Sequence, residues 1–331
     1  MDDNLTKMRV YVTENCNAKC SSCFNANSRG NAEMSPDVFE ELCGYLCANG
    51  IKSLKIMGGE PTVHKDFLRI VDIAKKFFPK IAIFTNALNE NIKMVVLREH
   101  DSIVYNFNFA SVFTEDKFVL QQPGYRSLEV QVRAGTDEKH LLQKLLEILD
   151  LGKGRLATAF TLDCTSNILQ SKSLLLQKLR FLTESFLKNN IPYCFDHTLP
   201  LCFLYKAGFA TGKTNGLCHI GDCGLIDASL NLRFCNQYPD SLICLKQKGQ
   251  FIPWSIAKNR LFQKFFQNQI AVLSKACKDC IFYGSKCNGG CWMGKGLISE
   301  NDVYEFSGFP VKKKEIASEA INPRFECDQK T

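Results

Sequence analysis

Cys16, Cys20 and Cys23 crowd one short stretch, in a C-x3-C-x2-C spacing directly after the first apolar run. Soft thiolates select iron–sulfur clusters, zinc or copper(I). Three is an unusual number for them. A closed structural zinc site takes four ligands, and disulfides take cysteines in pairs. Three thiolates on a tight loop can hold three irons of a [4Fe–4S] cube and leave the fourth open to an exchangeable ligand, which makes that iron a place for chemistry. A zinc site with a distant fourth ligand, or three cysteines of the core, fits the same spacing. A second feature follows at Met57-Gly58-Gly59-Glu60-Pro61. Its glycines admit close backbone approach, and its carboxylate can receive an ammonium group.

Beyond residue 200 the cysteines thicken: Cys218-x4-Cys223-x11-Cys235, then Cys277-x2-Cys280-x6-Cys287-x3-Cys291, and lastly Cys327. Eight cysteines can ligate two further four-cysteine clusters. Such density is not core packing, because a buried lone cysteine is a small hydrophobe that needs no spacing rule. A zinc ribbon is the serious alternative.

The chain has 331 residues, 17 of them cysteine, and a formal charge of +7. The N-terminus lacks the basic-then-apolar layout of an export signal. No apolar run approaches the roughly 18 to 20 residues of a membrane helix. A cytoplasmic setting is therefore expected, where thiols stay reduced and a disulfide scaffold is excluded. Metal or redox chemistry is the better reading of the cysteines. The positive charge is scattered, with a dense run only at Lys312 to Lys314, so it points weakly to nucleic acid.

These residues need elements to hold them. MRVYVT (8–13), SLKIM (53–57), IAIFT (81–85), IVYNFNFA (103–110), LEVQVRA (128–134), LATAFTLD (156–163) and IPYCFDH (191–197) read as strands. Between them lie helical patterns. Ser35-Pro36-Asp37 starts one as N-cap, first-turn proline and first-turn acid. Others are expected over 66–78, 89–99, 137–150 and 171–189. Strands alternating with helices mean βαβ units and a parallel sheet, an α/β layer or barrel. Chemistry gathers at the C-terminal ends of such strands, and the cysteine triplet stands there. Near residue 200 the alternation stops, leaving one amphipathic helix with Ile256, Leu261, Phe262, Phe265, Phe266, Ile270 and Leu273.

The pairing of the triplet with MGGEP resembles the radical S-adenosylmethionine (SAM) superfamily. That resemblance implies an α/β fold, a partial (β/α)6 barrel over 1–200. Cys16, Cys20 and Cys23 would ligate a [4Fe–4S] cluster whose fourth iron takes the amino and carboxylate groups of SAM. Gly58, Gly59, Glu60 and Pro61 would form the motif at the methionine end, and Asn86 in FTNA looks like the family's TN element. Asn108 or Ser111 would stand in for polar residues of the fourth strand, and Arg133 for a partner of the SAM carboxylate. Ser22 occupies a place where the family usually has an aromatic residue.

The downstream cysteines resemble the SPASM extension of peptide-modifying members, a small cysteine-rich, mostly irregular domain over 201–331 with two auxiliary [4Fe–4S] clusters. By motif position Cys218, Cys223, Cys235 and Cys291 would hold the first, and Cys277, Cys280, Cys287 and Cys327 the second, with Cys244 as substitute for Cys327. Leu230 stands where that family has glycine. Loaded with three clusters, the net charge would fall to roughly +2, and a nucleic-acid partner loses its main support.

The resemblance implies reductive cleavage of SAM to a 5′-deoxyadenosyl radical and oxidation of a peptide or protein, with crosslinking of a ribosomally made precursor as the preferred reaction. An external one-electron donor such as a flavodoxin or ferredoxin is expected. No room before Met8 is expected for a leader-binding domain, so leader recognition would fall to a separate protein or the barrel surface. Formylglycine formation on a sulfatase is the alternative, opposed by Asn236 where that branch has an aspartate base. A non-enzymatic iron–sulfur carrier or zinc module is the contrasting class. Cys43 and Cys47 read as core and His64 as a packing residue. Cys164, Cys194 and Cys202 are left unassigned, and His197 and His219, near the domain junction, stay open.

Overall fold

In a computed structural model of the protein, the described residues are 6–20, 23, 25, 30–106, 125–133, 135–151, 156–162, 168–195, 202, 223–233, 243–272 and 277. Strands β1 (Lys7–Thr13), β2 (Ser53–Gly58), β3 (Lys80–Thr85), β4 (Ser102–Asn106), β5 (Tyr125–Val132), β6 (Leu156–Leu162) and β7 (Tyr193–Phe195) lie side by side in chain order, each parallel to the last. A doubly wound sheet would reverse its strand order midway. This one does not, which is the expected barrel-type winding. Helices α1 (Pro36–Ala48), α2 (Phe67–Phe77), α3 (Glu138–Leu151) and α4 (Ile168–Lys188) run between strands. Ser35 caps α1 as its type suggests, accepting from the Val38 amide at 3.4 Å.

The strands alternate instead of running apolar throughout. Met8, Val10 and Val12, Leu54 and Ile56, Ile81 and Ile83, and Leu128, Val130 and Val132 are buried in one core with Phe39, Leu42, Ile70 and Ala74 of the helices. The intervening residues include Arg9, Lys55, Glu129 and Gln131. Side chains two apart share a face, and Lys55 Nζ stands 5.7 Å from the centre of the Phe84 ring across that face. A parallel sheet covered by helices on both sides has no use for such polar positions. The helices therefore cover one face, and the other carries the polar set.

The stretch expected as helix over 89–99 is only a 3-10 turn at Glu90–Met94, left at Val95 with extended backbone. Arg98 is turned elsewhere. It donates to the Lys75 and Phe78 carbonyls at the end of α2 and forms a fork on Asp101, whose Oδ1 also accepts from the Ile81 amide at 3.1 Å. Burial alone would raise the Asp101 carboxyl. The Arg98 bonds and the Ile81 amide outweigh it and hold the group below its ordinary range. A depressed folded value means stabilisation that is present above the ordinary value, near 4, and lost as pH falls through the folded one. Thermal unfolding against pH should show a falling limb below about pH 4. Asp101→Asn should flatten that limb and cost about 2 kcal/mol at neutral pH. An unchanged limb in the variant would refute the assignment.

Residues beyond 200 continue the sheet. β8 (Cys223–Ile226) pairs parallel to β1 on the side away from β2, and β9 (Asn231–Arg233) and β10 (Ile243–Cys244) follow it antiparallel. A hairpin of β11 (Lys246–Gln247) and β12 (Gln250–Phe251) leads to α5 (Trp254–Val272), the expected late helix. Tyr45 of α1 stacks on Phe251 at 4.4 Å, meets Trp254 edge-on, and donates to the Ile252 carbonyl at 2.9 Å. Leu230, in the β8–β9 turn, has φ 63°. That left-handed backbone favours glycine, the residue the SPASM resemblance puts there. Cys43 is buried as expected, and burial pushes its thiol up. Cys47 is not core: it lies exposed in the last turn of α1. Among the described residues, no helix is long and apolar enough to cross a membrane.

Candidate active site

β1 ends at Thr13, and the cysteine loop leaves from its C-terminal end. The chain then comes back beside its own departure point. Glu14 donates its amide to the Ala32 carbonyl and Met34 donates to Val12, both at 2.8 Å. Thr13 Oγ1 and Asn15 Nδ2 both donate to Glu33 Oε1. The loop is thus closed at its base.

Cys16, Cys20 and Cys23 are half-buried on it. The Ala18 amide donates to Cys16 Sγ and the Asn25 amide to Cys23 Sγ, each at 3.4 Å. Hydrogen bonds to the ligating sulfurs are among the features that tune an iron–sulfur cluster. Among the described residues no three His, Cys, Asp or Glu side chains are drawn together as a single ion requires. A four-iron cube asks for a different arrangement, one thiolate per iron and spread over its corners. Soft donors, partial burial and amide bonds to sulfur fit such a cluster.

The Gly-Gly turn lies directly against this loop. A Cβ on Gly58 would stand 2.5 Å from the Thr13 carbonyl oxygen, and one on Gly59 would stand 2.3 Å from that of Asn15. Gly59 donates its amide to Thr13 and Glu60 to Asn15, both at 2.8 Å. Asn25 closes the contact from the other end of the loop. Its Nδ2 donates to the Gly58 carbonyl at 2.8 Å, and its Oδ1 accepts from Tyr11 Oη at 2.9 Å. The glycines are therefore needed for close approach, as their type suggests, but the approaching backbone is the end of β1 at Gly58 and the start of the cysteine loop at Gly59.

Glu60 is 1% exposed. Its Oε1 accepts from the Thr62 amide at 3.1 Å, Thr62 Oγ1 at 2.6 Å and Thr85 Oγ1 at 2.7 Å; its Oε2 accepts from the Asn86 amide at 2.6 Å. It caps the 3-10 turn Pro61–Val63 that follows the motif. Burial raises its carboxyl above the ordinary range, and the donors from Asn86, Thr62 and Thr85 hold it back. Asn86, at the end of β3, donates its Nδ2 to Asn17 Oδ1 in the cysteine loop at 2.8 Å. The first three strand ends and the loop thus form one connected polar site.

Arg133, just past β5, donates to Gln131 Oε1 at 2.7 Å and, through its amide, to Thr136 Oγ1. His64 is a packing residue as expected: it is buried, with Nε2 at 3.0 Å from the Met34 carbonyl and Nδ1 accepting from the Asp66 amide. Cys223 opens β8 in register with Lys7, Cys277 is buried, and Cys244 is exposed on β10. Ser22, Phe24, Asn108, Ser111, Cys164, His197, Cys218, His219, Cys235, Asn236, Cys280, Cys287, Cys291 and Cys327 lie outside the described residues. Tyr11, Asn17, Asn25, Glu33 and Thr62 escaped the sequence reading. Only Asn25, a turn-prone residue two places after the last cysteine of the triplet, carries a local signal.

Residues 10–151 match the family model of the radical SAM superfamily. A "Probable GTP 3′,8-cyclase" of Methanothermobacter marburgensis is 29% identical over 140 residues, which are 40% of this chain and 46% of that relative. The chain spans under half the length of the curated relatives it matches. SuiB of Streptococcus suis, solved bound to its precursor peptide SuiA, superposes with a TM-score of 0.54 at 13% identity, over 75% of this chain and 62% of that one. The structure of anSMEcpe with bound AdoMet and a Cp18Cys peptide gives 0.59 at 15% identity, over 92% and 96%. At such identities the likeness is one of fold.

Proposed function

We propose, since residues 10–151 match the family model of the radical SAM superfamily, that the protein is an enzyme that oxidatively modifies a peptide or protein. Crosslinking of a ribosomally made precursor is the preferred reaction. The observation that carries the reading is the packing of the MGGEP turn against the cysteine loop, through Gly58, Gly59 and Asn25. Cys16, Cys20 and Cys23 would hold the first cluster. The backbone at Gly58, Gly59 and Pro61 and the side chain of Asn86 would border the methionine end of SAM. Arg133, with Asn108 or Ser111, would serve the remainder. When bound, the cluster and SAM supply a one-electron reductive cleavage that gives methionine and a 5′-deoxyadenosyl radical able to abstract hydrogen from carbon. The chain's own part is to keep the loop closed at its base, set the cysteine sulfurs by amide hydrogen bonds, and bind SAM against the strand ends.

The eight downstream cysteines support two auxiliary clusters, which could take up the electron that an oxidised substrate gives away. A peptide substrate is favoured by the precursor or peptide seen with SuiB and anSMEcpe. An external one-electron donor such as a flavodoxin or ferredoxin completes the reading. Formylglycine formation is disfavoured by Asn236, which cannot serve as the base. The names of the curated relatives favour a second reading, a nucleotide substrate such as GTP.

Anaerobic reconstitution should give about twelve irons per chain, with release of 5′-deoxyadenosine from SAM under dithionite. A value near four would remove the auxiliary clusters, and zinc in place of iron would remove the radical chemistry. Given a precursor peptide encoded beside its gene, the reconstituted protein should strip hydrogen mass from that peptide. Consumption of GTP instead would establish the second reading.

A further inference from the structure

A carboxylate beside a glycine pair invites an ammonium group, and by type Glu60 is a candidate to receive that of SAM. Its surroundings argue otherwise. The side chain is 1% exposed, and four donors already converge on it from three residues. Two of those residues, Thr85 and Asn86, belong to the end of β3, while Glu60 itself follows β2. Asn86 then reaches Asn17, one residue after Cys16. A line of hydrogen bonds therefore runs from the Glu60 carboxylate through Asn86 to the cysteine loop.

We infer that Glu60 is a positioning residue: its carboxylate holds the end of β3 against the Gly-Gly turn, so that Asn86 can hold the cysteine loop, and it does not itself touch SAM. This rests on the SAM reading of the site. A buried carboxylate accepts from all four donors at once, whereas a glutamine must turn its NH2 group towards at least one of them. The amide then turns a donor towards a donor that the carboxylate had accepted from, and β3 has to give way. The site's geometry and the protein's stability should fail together.

The test compares the wild type with Glu60→Gln, and with Thr85→Val, which removes one donor and keeps the charge. Melting is followed in the protein before reconstitution. Binding to the reconstituted protein is measured for SAM and for its analogue with hydrogen in place of the α-amino group. A positioning role predicts that Glu60→Gln lowers the melting temperature by about 4 °C. It also predicts weakening of both ligands by the same factor, about tenfold, a smaller loss of both with Thr85→Val, and an altered electron paramagnetic resonance signal of the reduced first cluster. Weaker binding of SAM alone, with analogue affinity and melting unchanged, would overturn it by placing the ammonium on Glu60. Failure of the wild type to bind either ligand would overturn the SAM reading. The melting comparison would still judge the brace, which an unchanged temperature in Glu60→Gln refutes.

Discussion

Replacement of Cys16, Cys20 and Cys23 together by alanine is expected to remove about four irons per chain from the reconstituted protein and to reduce SAM cleavage to background. The fold should survive. The loop is closed at its base by Glu14 with Ala32 and Met34 with Val12, and at its far end by Asn25 with Tyr11 and Gly58. None of those bonds uses a thiol. The three side chains are only half-buried, so each truncation should cost under about 1 kcal/mol. Iron analysis, 5′-deoxyadenosine release and a melting curve on one preparation decide the matter. Retained cleavage, or an iron content equal to the wild type, would show that the triplet holds no cluster. Loss of the melting transition would show that the thiols support the fold.

Gly59→Ala should be the most damaging single methyl group in the site. Its Cβ would fall 2.3 Å from the Asn15 carbonyl oxygen and 2.6 Å from that of Glu14. Both are backbone atoms, which cannot swing aside as a flexible side chain would. The β2 turn and the cysteine loop must separate, stretching the amide bonds from Gly59 to Thr13 and from Glu60 to Asn15. A cost of about 3 kcal/mol is expected, with SAM affinity falling as the loop moves. Gly135→Ala serves as control. Gly135 is exposed, and nothing stands within 4 Å of the Cβ it would gain, so its effect should stay within about 0.5 kcal/mol. Equal stability of the two variants would mean that the turn and the loop are not packed together as described.

How much of the fold is legible in the sequence follows the range of the interactions involved. Ser35-Pro36-Asp37 marks a helix start because a cap is settled within one turn, and α1 begins there. Alternation in MRVYVT and SLKIM marks strands because a strand shows its faces every second residue. The stretch 89–99 misled for the converse reason. Its spacing allowed a helix, but Arg98 is committed to the distant carbonyls of Lys75 and Phe78.

The strand-to-loop placement of Cys16, Cys20 and Cys23 and the turn after β2 are legible from residue types alone, both of them local patterns of type and spacing. What the turn does there is set by the packing of distant segments. Gly58 makes room for the end of β1 and Gly59 for the cysteine loop, and Glu60 is occupied by Thr62, Thr85 and Asn86. Asn86 lies 26 residues from Glu60 and 69 from Asn17. Separations of that size have no period and leave no local mark. They are set when parallel strands align their C-terminal ends, and a carboxylate that reads as a ligand-binding group becomes the brace between two of those ends.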